Sequence, residues 1–290
     1  MDIAPDRRLT VHMSAMDADD FEKMLATAID RRDAKQVEAL LSQENVNAEV
    51  FHGPVLVRSF VAAACSDTSI FHLLVQANFN VNAVDDVRDY YMDTSRRLTF
   101  TQDGDTALMV AARGIDSKLY TDEDIPVGAA FSQDCATNVR LLLEAKADVN
   151  VINKSGETAL FQAVNYGGDQ AIVMVKMLLE GDLCHVDVQD EDGLTPLHVA
   201  VKRGQADIVA LLINRKSNVH AKTSEGKSPL HLACQYGHFA VVEILVKYQP
   251  VLNELTEDRQ TPLILAASCG SMAIVRLLLD LQVDVTIKDK

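Results

Sequence analysis

A short motif recurs in the second half of the chain at a fixed interval. The tetrapeptides TPLH, SPLH and TPLI begin at Thr195, Ser228 and Thr261, so both intervals are 33 residues. Upstream, TALF and TALM begin at Thr158 and Thr106. A unit of this size cannot bury an apolar face alone and must pack it against neighbouring units. The chain is therefore predicted to fold as a linear stack of repeats.

The unit around Thr195 indicates how one repeat folds. Gly193 suits a turn residue with positive φ, Thr195 suits a helix N-cap, and Pro196 suits the first helical position because it has no N–H to satisfy. Gly204 should end this short helix. A second helix is predicted after it, with apolar residues at helical spacing: Ile208, Val209, Leu211 and Leu212.

With T-P-L-H opening its first helix, this unit resembles the ankyrin repeat. The resemblance is strong over about residues 103–290, and the repeats before that are divergent. It implies an all-α solenoid of about seven stacked helix-turn-helix repeats with finger-like loops. We predict an N-terminal tail at 1–20 and a repeat domain at 21–290. Its repeats are predicted at about 21–52, 53–101 (with a long finger insert at 84–102), 103–153 (with an insert at 115–133), 154–190, 191–223, 224–256 and 257–290.

Composition limits the classes of partner and compartment. With 27 basic and 42 acidic residues the formal net charge is −15, which argues against binding to nucleic acid or to anionic membranes. No apolar stretch is long enough to span a membrane, and the N-terminus lacks a secretory signal. The five cysteines include no C-x-x-C pair, which suits a reducing compartment. We expect a cytoplasmic protein, with the nucleus as an alternative.

The sequence offers no catalytic or metal-binding pattern. His198 and His231 are equivalent positions in adjacent repeats, so they should lie about one helix spacing apart, too far to share a metal ion. The resemblance implies instead that this histidine is structural and bonds neighbouring turns. No nucleophile, metalloprotease or paired-thiol motif is present. We predict that the protein is not an enzyme and that it uses no cofactor and no metal.

The candidate site is a surface. The resemblance implies that partners meet the finger tips and the ends of the first helices on the concave face. By register, Tyr166, Arg203 and Tyr236 form a column across three repeats, and Tyr and Arg dominate binding hot spots. An alternative is that each Tyr only covers the neighbouring helix. The candidate partner-binding residues are Tyr166, Lys202, Arg203, Gln235, Tyr236, Glu191, Asp192, Leu194, Glu225, Lys227, Tyr90 and Tyr91.

One residue is a candidate for modification. Residues 142–150 resemble the stretch of ankyrin repeats that asparaginyl hydroxylases modify, with Asn150 as the acceptor. The alternative is that Asn150 only hydrogen-bonds the finger turn.

We interpret the chain as a non-enzymatic scaffold or adaptor for protein partners, with acidic fingers that suit a partner with a basic patch. The final repeat has an apolar second helix and ends where another repeat would begin. We therefore expect either a monomer or a part of a longer chain. One alternative is an N-terminal regulatory or targeting module of a larger signalling enzyme, ubiquitin-ligase adaptor or channel. Another is a cytoplasmic inhibitor that masks a basic segment of a transcription factor.

Overall fold

The structure is a computed structural model. It describes residues 18–42, 57, 60, 63–64, 68–84, 104–113, 131–166, 170–181, 183–248 and 250–289.

The described residues form thirteen α-helices and no β-strand beyond one isolated antiparallel bridge between Val84 and Thr106. In the first half of the chain the helices are α1 (Ala18–Asp30), α2 (Ala34–Leu41), α3 (Thr68–Gln76), α4 (Ala107–Arg113) and α5 (Phe131–Glu144). In the second half they are α6 (Ala159–Tyr166), α7 (Ala171–Leu179), α8 (Pro196–Lys202), α9 (Ala206–Asn214), α10 (Pro229–Gln235), α11 (Phe239–Leu245), α12 (Pro262–Ser268) and α13 (Met272–Asp280). A 3₁₀ helix, Val246–Tyr248, continues α11.

The helices form two rows that stack along one direction. From α4 onward, consecutive helices pair as α4 with α5, α6 with α7, and so on to α12 with α13. The first helices of these pairs, α4, α6, α8, α10 and α12, each pack against the next in that order. The second helices, α5, α7, α9, α11 and α13, do the same, and α3 continues their row to α2. The predicted all-α solenoid is confirmed.

The TPLH motif builds each first helix by local bonds. Thr195 is extended, its Oγ1 accepts the His198 N–H, and Pro196 occupies the first helical turn. The Nδ1 of His198 accepts the Thr195 N–H at 3.1 Å, which leaves Nε2 protonated and able to donate. Ser228 and His231 repeat this capping box at the start of α10. The sequence therefore stops an incoming loop and starts a helix at the same residue in successive repeats.

The same histidines also join neighbouring repeats. His198 Nε2 donates to the carbonyl oxygen of Ala221 at 3.0 Å, and His231 Nε2 donates to that of Glu254 at 2.9 Å. Both imidazoles are fully buried, and this burial lowers the pKa of His198 to about 4. This histidine therefore has the structural role that the resemblance implies, since it bonds neighbouring repeats.

Four of the described fingers are tight turns, each closed by one side-chain oxygen. In the finger before α8, the Asp190 Oδ1 accepts the N–H groups of Asp192 at 3.0 Å and Leu194 at 2.7 Å. Asp190 N–H also donates to the Leu194 carbonyl, and Gly193 has φ of +73°. Asn153, Thr223 and Thr256 supply the corresponding oxygen in the other fingers. The turn is therefore set by local chemistry.

Neighbouring fingers are hydrogen-bonded to one another through their backbones. Glu191 N–H donates to the Ser155 carbonyl, Ser224 N–H to the Asp192 carbonyl, and Glu257 N–H to the Glu225 carbonyl. The approach is so close that a Cβ on Gly193 would lie 2.9 Å from the Ser224 nitrogen. Glycine is needed there both for its positive φ and for this contact.

Several predicted repeat boundaries differ from the helix limits or fall outside the described residues. Helix α1 begins at Ala18, inside the predicted tail at 1–20. Helix α5 begins at Phe131, so the end of the predicted insert at 115–133 is helical; no glycine or proline interrupts residues 131–144. Most of both long inserts, including Tyr90 and Tyr91, lies outside the described residues. The count of seven repeats and their exact limits stay predictions.

Candidate partner-binding surface

A groove runs between the fingers and the ends of the first helices in the middle of the stack. Its volume is about 430 Å³. Three successive repeats contribute to its lining, which consists of Glu157, Phe161, Asn165, Asp190, Asp192, Leu194, Val199, Lys202, Arg203 and Tyr236.

The helix wall of the groove is a chain of side-chain contacts across three first helices. Arg203, which follows α8, donates from Nε and Nη2 to the Oδ1 of Asn165 in α6, at 3.2 and 3.0 Å. Lys202 places its Nζ 6.0 Å from the ring centroid of Tyr236, which follows α10. This distance is within the range of a cation–π interaction. Two cations and an aromatic ring are therefore held side by side at the surface.

His238 supports this wall from behind. Its ring stacks on that of Tyr236, with centroids 6.2 Å apart and planes inclined by 13°. Its Nε2 donates to the Lys202 carbonyl at 3.0 Å. The imidazole lies against Gly204, where a Cβ would be 2.7 Å from Nδ1. The glycine that ends α8 therefore also makes room for the ring that positions Tyr236.

The finger wall carries the opposite charge. Asp192 is exposed at the finger tip, while the carboxylate of Asp190 is half-buried and closes the turn. Burial raises the pKa of Asp190, although its two backbone hydrogen bonds act in the other direction. Glu157 lies deeper, and burial raises its pKa as well. Leu194 contributes apolar surface between these acids and the helix wall.

A buried polar network fixes Glu157 beneath the groove. Gln162 Nε2 donates to Glu157 Oε2 at 2.5 Å, and Arg113 Nε donates to Gln162 Oε1 at 2.7 Å. Arg113 Nη2 also pairs with Asp105 Oδ2 at 2.5 Å, and Asn153 Nδ2 donates to Asp105 Oδ1 at 3.1 Å. Since buried charges are costly unless paired and hydrogen-bonded, this network keeps the buried carboxylates satisfied where the two repeats meet.

The structure brings together five of the predicted binding residues. Lys202, Arg203, Tyr236, Asp192 and Leu194 line the one groove. Asp192 and Leu194 come from one finger, and the other three come from the ends of two successive first helices.

The other predicted residues lie elsewhere. Glu191 is exposed on the finger tip outside the lining, and Gln235 is half-buried at the end of α10. Glu225 and Lys227 pair with each other at 2.6 Å on the next finger. The side chain of Tyr166, like Tyr90 and Tyr91, lies outside the described residues.

Five lining residues are not among the predicted binding residues: Glu157, Phe161, Asn165, Asp190 and Val199. A signal for Asp190 did exist. Five residues before each first-helix threonine or serine stands a side chain with an acceptor oxygen, namely Thr101, Asn153, Asp190, Thr223 or Thr256. The recurrence of that chemistry predicts a finger-closing residue. Phe161 and Val199 carry no such signal, because apolar residues of a first helix look alike in sequence.

Asn150 bonds the loop of the following repeat. Its Nδ2 donates to the Leu183 carbonyl and its Oδ1 accepts the His185 N–H, both at 2.7 Å. Asn82 and Asn253 accept the N–H of Asp148 and Asp284 in the same way. The amide of Asn150 thus already has a structural role between repeats.

Neither a metal cluster nor a membrane span is found in the part of the chain that the structure describes. No group of three or more His, Cys, Asp or Glu side chains there is arranged to hold a metal ion. No helix within the same residues is both long enough and apolar enough to cross a bilayer.

Comparison with known proteins bears on this architecture. A family model described as ankyrin repeats (3 copies) matches residues 127–223 and 215–289, which together exceed half of the chain. The chain belongs to the ankyrin-repeat family. Ankyrin repeats generally mediate protein–protein interaction, so the groove described above belongs to a fold that serves binding.

The relatives of this ankyrin-repeat protein include much longer chains. It is 38% identical over 82 residues to delta-latroinsectotoxin-Lt1a of Latrodectus tredecimguttatus, a match covering 28% of this chain and 7% of the toxin. It is 49% identical over 73 residues to the nuclear factor NF-kappa-B p105 subunit of Mus musculus, a match that covers 25% of this chain and 7% of that subunit. It is 29% identical over 109 residues to alpha-latrotoxin-Lg1a of Latrodectus geometricus, a match that covers 38% of this chain and 8% of that toxin. The matched part of the chain covers less than a tenth of the length of each of these relatives.

Proposed function

We propose that this ankyrin-repeat protein is a non-enzymatic scaffold or adaptor that binds a protein partner through its concave face and finger loops. The observation that carries the proposal is the joined wall of Lys202, Arg203 and Tyr236 opposite the finger residue Asp192. Aromatic and arginine side chains that are partly exposed yet held in place are the residues that dominate binding hot spots.

The mode of binding is rigid presentation. Asn165 fixes Arg203, and His238 fixes Tyr236, before any partner arrives. A surface that is already ordered loses little conformational entropy on association, so more of the contact energy appears as affinity.

The test is capture from lysate with two matched triple variants. The groove variant replaces Lys202, Arg203 and Tyr236 by Ala. The control variant replaces Lys247, Tyr248 and Arg276 by Ala; Tyr248 and Tyr236 are both 44% exposed, and the control residues lie outside the groove lining. Partners retained by the wild type and the control but lost by the groove variant would support the proposal. Equal retention by all three folded proteins would overturn it.

A first alternative is that the chain is the N-terminal regulatory or targeting module of a larger signalling enzyme, ubiquitin-ligase adaptor or channel. The matches cover only 7% of each of the first two relatives, so similar repeats occur within much longer proteins, which favours this alternative. Sequencing the transcript beyond the codon for Lys290 tests it.

A second alternative is a cytoplasmic inhibitor that masks a basic segment of a transcription factor. The net charge of −15 and the acidic residues Asp190, Asp192 and Glu191 favour it, and they disfavour nucleic acid as a partner. Masking by charge predicts an affinity that falls steeply as salt rises, whereas salt-independent binding would contradict it.

Two further proposals concern the protein in the cell. The described cysteines, Cys135, Cys184, Cys234 and Cys269, are all free, which supports a reducing compartment such as the cytoplasm or nucleus. Imaging of a fluorescent fusion tests this. Hydroxylation of Asn150 would require its amide to leave Leu183 and His185 first, and mass spectrometry of the protein from its host tests whether it occurs.

A further inference from the structure

The charges of the groove are arranged differently from those of the next finger. On the next finger, Glu225 and Lys227 neutralise each other at 2.6 Å. In the groove, the two signs stand on opposite walls. Within the described residues, no carboxylate lies within 4.0 Å of Lys202 or Arg203, and no cation lies within that distance of Asp192. Both walls therefore keep charge that a ligand can pair.

The partners that these side chains do have leave that charge intact. Arg203 bonds the neutral amide of Asn165, and Lys202 faces the ring of Tyr236. The Asp190 carboxylate receives backbone N–H groups, which are neutral donors. Each wall is thus positioned by uncharged groups, and its charge remains available to a ligand.

Part of the floor between the walls is apolar. Phe161 and Val199 are almost fully buried there, and Leu194 is half-buried. A polar side chain pressed on this floor would lose water without gaining a hydrogen bond. The middle of the ligand should therefore be an aliphatic or aromatic side chain.

Charge complementarity then narrows the ligand class. A segment with only basic residues would place a cation beside Lys202 and Arg203, and a segment with only acidic residues would place an anion beside Asp190 and Asp192. Like charges brought together in a partly desolvated groove oppose binding. A ligand with both signs avoids both penalties.

We propose that the groove binds an extended protein segment in which an apolar residue is flanked by a basic residue on one side and an acidic residue on the other. The basic side chain faces Asp190 and Asp192, and the acidic side chain faces Lys202 and Arg203. This inference rests on the proposed function, since it names the chemistry of the segment that the same groove receives.

The experiment begins with short random peptides displayed on phage. They are selected on the wild-type protein and counter-selected on the folded variant in which Lys202, Arg203 and Tyr236 are Ala. The expected result is enrichment of peptides with one basic and one acidic residue around an apolar residue. Enriched peptides of a single sign would overturn the inference and leave the proposed function standing. No enrichment over the variant would overturn both.

Charge reversal then tests the orientation with the best selected peptide. Asp192→Lys should weaken binding by about tenfold or more, and exchanging the peptide's basic residue for Glu should restore it. Lys202→Glu should be restored by exchanging the peptide's acidic residue for Lys. Glu257→Lys is the matched control, because it makes the same change of charge at an exposed position of another finger, outside the lining, and it should alter affinity by less than about threefold. Rescue by the wrong exchange, or equal effects of Asp192→Lys and Glu257→Lys, would overturn the assignment.

Discussion

The Nε2 of His198 donates to the carbonyl oxygen of Ala221 across 3.0 Å, while its Nδ1 accepts the backbone N–H of Thr195. One imidazole therefore caps the helix in which it lies and ties that helix to the loop before the next finger. Both ring nitrogens are used, so the neutral ring with its proton on Nε2 is the form that the fold requires.

Replacing this ring should be costly. His198→Ala removes the cap acceptor, leaves the Ala221 carbonyl without its donor and opens a cavity, so we expect a loss of about 3 kcal/mol in the free energy of unfolding. Urea unfolding followed by circular dichroism measures it. His220→Ala is the control, because that ring is exposed, and it should change stability by less than about 0.5 kcal/mol. Equal effects of the two changes would contradict this role.

Because the His198 ring is buried in its neutral form, we expect the protein to lose stability in acid. Burial lowers the pKa of folded His198 to about 4 from an ordinary value of 6.5. The unfolded chain therefore binds more protons between these values, so the contribution is complete above about pH 6.5 and is lost as the pH falls toward about 4. That contribution is about 3 kcal/mol.

The measurement is the stability difference between the wild type and His198→Ala at neutral and at acid pH. Because every other titrating group is common to both proteins, the difference isolates His198. It should shrink by most of its neutral value in acid. Parallel pH profiles for the wild type and His198→Ala would show that this ring does not titrate as expected.

Substitution of two glycines should separate the stability cost of a strained backbone from the cost of a close contact with a neighbouring finger. Gly193 and Gly270 have nearly the same φ, +73° and +75°, but only Gly193 has a neighbouring finger within 4 Å of the added Cβ. Gly270→Ala should cost about 1–2 kcal/mol for the left-handed conformation alone. Gly193→Ala should cost clearly more, because Ser224 must move. Thermal unfolding of both variants checks this, and equal losses would mean that the finger contact yields freely.

Two ion pairs that differ in burial should differ in their importance. Asp105 is fully buried and pairs with Arg113, whereas Glu225 is largely exposed and pairs with Lys227. Asp105→Ala removes the buried carboxylate partner of a largely buried guanidinium and should cost about 3 kcal/mol. Glu225→Ala should cost less than about 1 kcal/mol. Denaturant titration of the two variants compares them; a small loss for Asp105→Ala would indicate that Arg113 reaches water or another acceptor.

The sequence predicted the structural features that depend on interactions within one repeat. Thr195, Pro196 and Gly204 act on residues a few positions away, so the cap, the first turn and the helix end could be read directly. Register also placed Arg203 and Tyr236 on one wall, because equivalent positions in stacked repeats become neighbours in space.

Contacts between repeats were harder to predict. His238 bonds the carbonyl of Lys202, 36 residues earlier, and nothing local to His238 indicates that it will rest on Gly204. The network around Glu157 and Asp105 lies in the two repeats whose motif reads TALM or TALF and so lacks the histidine. Those repeats are joined by a different set of polar groups, which only their three-dimensional proximity reveals.

The backbone bonds between fingers affect how the protein bears a load. A ligand that pulls on Asp192 pulls at the same time on Ser224, and the finger of Asp192 is itself tied to Ser155 through Glu191. Tension at one finger tip is therefore shared by the neighbouring fingers through these hydrogen bonds. Detaching a bound segment by peeling it from one finger would have to strain several repeats together.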